Sequence, residues 1–501
     1  MMRGRPLLLG LVPASFAAVL GVWACATDDS AEPSLRDGGA PTDGTLGAAD
    51  GGTDAPVGID AWGDSDWQVG DGGVDAPKGD AAIVDAAMIE SGALDGSVAW
   101  SHDVSLVTQK INELVSVGRV ARDSNDNIAI SGGASHNAVE SGGLDLGGGQ
   151  KFESSYVASF DQNGAYRWDR FFDRGTGGTI ALAFDAANNL YVAMSVKGTV
   201  DLGGGPRVGL LSGSLAIVSY TSNGAYRWDL LVHPSTAATV IQPNTIAVGA
   251  GESVVVGGRY QGTTDFGGGA RTAAGTAVDN PFLLALGPGG AYQWDAVASA
   301  LGPSSILALV VDGAGRTTAV GGYSGAVNFG AGAHPTPDGG AGGFAVAYSS
   351  TGARAWEAFR TSGGRSVRVA GAGNVVALFG GPNPQSLSQL DPVGNLVSQT
   401  TGPFAEFRSG PGASTFGVGG EVWCGVSGGL DSDTLRLRRT AADGASTTVV
   451  SLPFRKVLGL TPAVVTSGLV TLSTGDVVVG GSYSTSVGSI GYFARVRRPV
   501  F

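Results

Sequence analysis

The chain repeats itself about every 60 residues, and its clearest copy runs over 179–229. That copy reads strand, turn, strand, glycine loop, strand, turn, strand, with apolar residues alternating at period two on either side of Asx/Gly turns. Five turns place a tryptophan four residues after a glycine: Gly96 and Trp100, Gly164 and Trp168, Gly224 and Trp228, Gly290 and Trp294, Gly352 and Trp356. Their successive spacings are 68, 60, 66 and 62, and turns at Gly394 and Gly444 keep the glycine without the tryptophan. A second marker, a strand, a polar turn and a strand ending in or near Gly-Gly, recurs at 123–133, 185–195, 249–258, 312–322, 371–381, 417–429 and 473–481. Both markers count seven.

A four-stranded unit that cannot bury both its faces alone must stack against neighbours. The pattern therefore predicts an all-β chain closed as a radial array, a seven-bladed β-propeller over 96–501, rather than a sandwich. The segment 96–105 reads as an outer strand with no inner strands before it, and 491–498 as a third strand with no outer strand after it. The two are expected to pair, with Tyr492, Ala494 and Val496 across from the 96–105 strand, which would leave no open edge between first and last blades. Asp185-Ala186-Ala187-Asn188-Asn189-Leu190-Tyr191-Val192 and Asp312-Gly313-Ala314-Gly315 resemble the bacterial seven-bladed β-propeller (SBBP) repeats. The signature of those repeats is Asp, a two-residue gap, Gly-Asn, an apolar-aromatic strand and Gly. The resemblance runs from about Gly96 to the end, degenerate in the last three blades; it implies a fold and no particular reaction.

Residues 1–24 carry Arg3 and Arg5 and then an apolar run, which reads as an export signal. Val22-Trp23-Ala24-Cys25 resembles the lipobox of bacterial lipoproteins, which implies a lipid on Cys25; Ala26 in the next position implies the outer membrane, on its periplasmic or cell-surface side. Residues 25–95 are low-complexity Asp, Gly, Ala and Pro, expected to be a disordered tether. Between Ala26 and Asp95 sixteen acids face only Arg36 and Lys78, whereas the chain after Asp95 has a net charge of −1. The acidity thus belongs to one segment and gives no reason to expect nucleic acid. With Cys25 lipidated, Cys424 is left without a disulfide partner, and its apolar run Val422-Trp423-Cys424 predicts a buried structural thiol.

The four histidines are scattered with no two at metal spacing, and no cofactor signature is present. Asp123-Ser124-Asn125-Asp126-Asn127 begins like a calcium loop, but Ile128 replaces the turn glycine and Ala134 the closing Glu, so an Asx turn is the expectation. A loop motif recurs at Asp145-Leu-Gly-Gly-Gly, Asp201-Leu-Gly-Gly-Gly, Asp265-Phe-Gly-Gly-Gly and Asn328-Phe-Gly-Ala-Gly. It lacks the Lys-Ser/Thr and the helix of a phosphate cradle. A catalytic acid is needed once and a turn in every blade, so the recurrence points to structure. The shared tryptophan position likewise predicts packing between blades rather than sugar stacking.

The expected function is a non-catalytic binding or scaffold module for a protein or polysaccharide, monomeric and tethered to the membrane by lipid. The alternative is a hydrolase or lyase of carbohydrate or peptidoglycan. Long second-to-third-strand loops at 135–153, 197–214, 261–281 and 324–343 should emerge on the same side as the links between blades. They make Asp145, Asp201, Asp265 and Asn328 markers of the candidate binding face.

Overall fold

The computed structural model describes residues 83–84, 98–104 and 113–498 except 135–142, 173–175, 236–239, 276, 338–339, 381–384, 403–413, 427–433, 444–446, 454–462 and 486–487. All of these belong to one compact unit, Lys78–Phe501. The export signal, Cys25 and nearly all of the tether lie outside the described residues.

The chain is all-β and is built from many small antiparallel sheets, propeller-like in their repetition. One sheet takes Thr176–Phe184, Leu190–Asp201, Pro206–Tyr220 and Tyr226–Val232 side by side in chain order. The same order recurs in Ile241–Val248, Val254–Tyr260, Asn280–Leu286 and Tyr292–Val297, and again in Ser304–Val311, Thr317–Ser324, Ala341–Tyr348 and Arg354–Arg360. Gly364–Val369, Val375–Phe379, Gln385–Leu390 and Leu396–Gly402 form a fourth such sheet. Ser414–Phe416, Val422–Val426, Thr434–Thr440 and Thr447–Pro453 form a fifth.

Nine further strands join in one sheet, and five short ones form two small sheets of their own. Glu113–Arg122, Ile128–Ala134, Ser155–Phe160 and Tyr166–Phe172 repeat the four-strand order, and Ala463–Thr471, Val477–Thr485, Gly488–Val496 and Val98–Val104 repeat it again with the chain's two ends in one ladder. In that terminal ladder Val98 faces Val496, Ser101 faces Ala494 and Asp103 faces Tyr492, so the two segments pair as the sequence suggested, in a register it did not give. A two-residue parallel contact, Glu113 and Leu114 against Gly488 and Ser489, links the two sets; no sheet closes on itself. Ile83–Val84, from the most apolar run of the segment before residue 96, adds a further antiparallel strand to Val98–Val104. So the stretch expected to be tether from end to end supplies one short strand.

Sheets stack on one another through their middle strands, and this explains the unbroken apolar runs there. Val254 and Val256 share a core with Tyr191, Leu215 and Ile217 of the sheet before, while Val255 shares one with Ala319 and Phe344 of the sheet after. Each fully buried Val, Leu or Phe in such an interface contributes about 1.5–3 kcal/mol. The first strands of successive sheets lie next to one another in chain order, and Ala463–Thr471 lies next to Glu113–Arg122. Most of them carry a bulge, for example between Val117 and Arg119 and between Thr466 and Gly468.

The tryptophans pack between sheets, as their shared position implied, and each meets the next unit's turn glycine rather than its own. A Cβ at Gly164, Gly224, Gly290, Gly352 or Gly394 would lie 2.6–3.1 Å from the ring of Trp100, Trp168, Trp228, Trp294 or Trp356, respectively. All five glycines have φ between 81° and 90°. Four of the indoles also donate Nε1–H to the carbonyl two residues before that glycine, at Gln162, Ser222, Ser350 and Pro392, over 3.0–3.1 Å. Trp228 makes no such bond.

Candidate functional site

The four Asx-Gly loops are built alike. Asp145 Oδ1 accepts the backbone N–H of Gly147 and Gly149, Asp201 Oδ1 that of Gly203 and Gly205, Asp265 Oδ1 that of Gly267 and Gly269, and Asn328 Oδ1 that of Gly330 and Gly332, all over 2.7–3.1 Å. One carboxylate or amide oxygen thus fixes a five-residue turn, as the recurrence suggested. The turn between first and second strands uses the same device at Asp123, whose Oδ1 accepts from the N–H of Asn125 and Asn127.

A second tie, which reading the sequence missed, fastens each loop to the fourth strand of its own sheet. Six residues after each Asx stands a base, Lys151, Arg207, Arg271 or His334, and directly after each tryptophan stands an acid, Asp169, Asp229, Asp295 or Glu357. Arg207 Nε donates to Asp229 Oδ1 over 2.7 Å, Arg271 Nε to Asp295 Oδ2 over 2.6 Å, and His334 Nε2 lies 3.0 Å from Glu357 Oε1. Lys151 sits within electrostatic reach of Asp169. Tyr226 and Tyr292 donate their hydroxyls to the same two aspartates, over 2.9 and 2.8 Å, and the Tyr166 hydroxyl lies beside Asp169 over Gly148. In the fourth copy Arg354 takes the tyrosine's place and pairs with Glu357 over 3.1 Å.

These tyrosine rings lie against the loop glycines, where any side chain would collide; a Cβ at Gly268 would meet the Tyr292 hydroxyl at 2.0 Å. The Asp295 side chain is wholly buried and that of Asp229 nearly so. Burial, with Asp169 as the next cause, pushes the Tyr166 hydroxyl up to about 12, and burial likewise raises Tyr226 and Tyr292, so all three remain protonated donors at neutral pH. Burial also raises Asp169 above the ordinary carboxylate range.

Links between sheets add to the loops. Pro234 bridges Thr264, and Ser299–Ala300 pairs with Ala326–Asn328, which in turn pairs with His334–Pro335. The loops therefore sit on the linker side and form a second tier of small sheets. In the second unit the tier is a hairpin that prolongs the main sheet, with Gly198 to Asp201 against Pro206 to Gly209. Asp145, Asp201, Asp265 and Asn328 are brought to one face but not into one cleft: each belongs to its own loop. Cys424 is fully buried. No His, Cys, Asp and Glu cluster of metal-binding kind occurs among the described residues.

These features define an all-β, propeller-like protein whose loops are individually clamped. No protein-family model and no curated protein matches the sequence. Among solved structures, the chain is similar to a protein of unknown function from Bacteroides caccae, at 10% identity over 60% of this chain and 95% of that one, with a TM-score of 0.35. It is similar also to the Trypanosoma rangeli sialidase in complex with the inhibitor DANA, at 9% identity over 67% and 57%, with a TM-score of 0.37. A prolyl endopeptidase is similar at 13% identity over 74% and 47%, with a TM-score of 0.38.

Proposed function

We propose that this chain is an outer-membrane lipoprotein whose strands form a seven-bladed β-propeller closed by its own termini, and that the propeller is a non-catalytic binding or scaffold module for protein or polysaccharide. Closure is supported by the ladder between Val98–Val104 and Gly488–Val496 and by the adjacency of the first and last inner strands. A contact 347 residues apart adds to it: Ser473 N donates to Asp126 Oδ1 over 3.0 Å. The same kind of turn-to-turn bond joins Ser124 N to Asn188 Oδ1 in the next pair of units, so the seam resembles an ordinary junction.

The observation that carries the binding reading is the repetition of the clamp. A glycosidase-type hydrolase needs two unlike carboxyls facing one bond about 5–10 Å apart. Here the buried acids Asp229 and Asp295 are engaged by a base and a tyrosine in the same way in their own loops. What the clamps present outward is a wall of rigidly held loop surface over four units, and the connection between Phe379 and Gln385 in the next unit is short. Loops held by a scaffold yet free of its core are where recognition residues accumulate.

The test is photo-crosslinking in intact cells from position 208 on the second loop. Discrete crosslinked products are expected, and replacing the four long loops by Asn-Gly turns should abolish them while the variant still melts cooperatively. Capture that survives in that folded variant, or turnover of envelope polysaccharide by the purified chain, would overturn the reading. The anchor is tested apart from it: Cys25→Ser should move the protein from the membrane to the soluble fraction, and unchanged partitioning would refute lipidation.

A further inference from the structure

The outer strand of the fifth unit has lost the covers that its counterparts keep. Two residues after the turn glycine, where Tyr166, Tyr226 and Tyr292 lie against the loop glycines of their own units, stands Leu396, and the connection that could have covered it, from Phe379 to Gln385, is short. Four residues after that glycine, where the first four units put a tryptophan, stands Ser398, and Gln399 follows it in place of the clamp acid. In consequence Leu396 and Val397 are 48% and 55% exposed, and Ser398, Gln399 and Thr401 are exposed as well.

Leu396–Gly402 pairs with Gln385–Leu390 on one side, and among the described residues nothing pairs with its other side. Such an edge offers a row of N–H and C=O groups to any strand that arrives, and natural sheets guard it with charge, proline or a covering segment. The other units are guarded. Ile83–Val84 lies along Val98–Val104 in the terminal unit, and the outer strand of the sixth ends on Pro453, which has no N–H. In each of the first four units an acid stands at or beside the middle of the outer strand: Asp169 in Tyr166–Phe172, Asp229 in Tyr226–Val232, Asp295 in Tyr292–Val297 and Glu357 in Arg354–Arg360. Leu396–Gly402 carries no charge and no proline, and its middle residue is Gln399.

We propose that Leu396–Gly402 pairs antiparallel with the same strand of a second copy, about a two-fold axis at Gln399, so that two four-stranded sheets merge into one of eight. Full overlap sets Leu396 opposite Gly402, Val397 opposite Thr401, Ser398 opposite Thr400 and Gln399 opposite Gln399. These are uncharged pairs, two of them able to hydrogen-bond across the ladder, and none sets a charge against its like. The same operation on the outer strands of the first, second and fourth units would put Asp169, Asp229 or Glu357 opposite itself. The match of this strand to itself is what favours a second copy over an unrelated strand. A two-fold contact occupies both free edges, so assembly stops at a dimer, in place of the monomer expected from the sequence. It does not depend on the ligand reading above.

Sedimentation velocity on full-length chains, all carrying Cys25→Ser so that lipid does not drive association, tests it. The mass should double as concentration rises, go no further, and hold at high salt, because no ion pair is involved. Gln399→Lys and Gln399→Glu alter an exposed position, so each should fold with an unchanged circular dichroism spectrum. Each alone opposes like charges at the axis and should sediment as a monomer. Mixed in equal amounts, the two variants oppose unlike charges there and should form a 1:1 dimer that high salt weakens. A parent chain that stays monomeric at every concentration, its edge left to some unrelated strand, overturns the proposal, as does one that grows beyond a dimer. So does a mixture of folded variants that fails to dimerise, or a single variant that dimerises like the parent.

Discussion

At the scale of single residues, two glycines with the same backbone conformation should respond differently to one added methyl. Gly205, with φ at 95°, has nothing within 4 Å of a built Cβ, whereas at Gly224, with φ at 81°, that atom would lie 2.6 Å from the Trp168 ring. Gly205→Ala should cost only the left-handed backbone penalty, about 1–2 kcal/mol. Gly224→Ala should cost that plus about 1–3 kcal/mol for overpacking, the difference being read from urea denaturation midpoints. Equal losses would mean that the Trp168 contact is slack. A second comparison isolates the indole N–H. Trp168 donates to the Ser222 carbonyl and Trp228 donates to nothing, so Trp168→Phe should be the more destabilising by about 0.5–1.5 kcal/mol. The sequence displays both partners of this contact, but it displays them in one turn, four residues apart. That each indole belongs to the glycine of the following unit is a property of stacking, which no local pattern encodes.

At the scale of the element, the clamp makes each long loop part of its sheet. Arg271→Ala leaves the buried Asp295 carboxylate with the Tyr292 hydroxyl alone, and a buried charge stripped of its partner costs about 3 kcal/mol or more. Arg271→Ala with Asp295→Asn should recover much of that loss in thermal melts, because the uncompensated charge goes with the partner. If the double variant is as unstable as the single one, packing of the arginine stem matters more than its charge. Asp169 gives a pH-dependent version. Its folded pKa is raised by burial, so its ionisation costs stability from about pH 4, the unfolded carboxylate range, up to the folded pKa, and the cost persists above it. Asp169→Asn should therefore melt higher than the parent at neutral pH and lose that advantage on acidification to about pH 3. An advantage independent of pH would remove the titration from the explanation. The Asx half of the clamp was legible because its oxygen and its glycines lie within five residues. The base and acid halves recur just as faithfully, but they stand about 20 residues apart, with a whole strand between them. Only the fold shows that they meet.

At the scale of the whole molecule, the repeat period and the β alternation were enough to anticipate the order of strands and the pairing of the two ends. What they could not show is the second tier of small sheets, since Ser299–Ala300 and His334–Pro335 are two-residue strands without any periodicity. Nor did they show that Ile83–Val84 extends the terminal sheet. Removal of residues 491–501 takes away the whole ladder with Val98–Val104 and part of the one with Val477–Thr485, exposing strand edges on both. The shortened chain should aggregate or lose its sharp thermal transition; unfolding as cooperative as the parent's, at the same temperature, would show that the terminal ladder is dispensable.

The tryptophan lock also bears on how such a chain changes its length. The terminal unit, through Trp100, and the first four units each present an indole to the unit that follows, and the first five units each offer a turn glycine in return, from Gly164 to Gly394. An internal duplication or excision of one whole unit, cut at equivalent points of two hairpins, would therefore leave every junction with both its members. The junctions after the fifth and sixth units have no such freedom, because Ser398 and Thr448 stand where their indoles would be. Genetic recombination between units is thus structurally neutral along the first two thirds of the array and disruptive in the remainder.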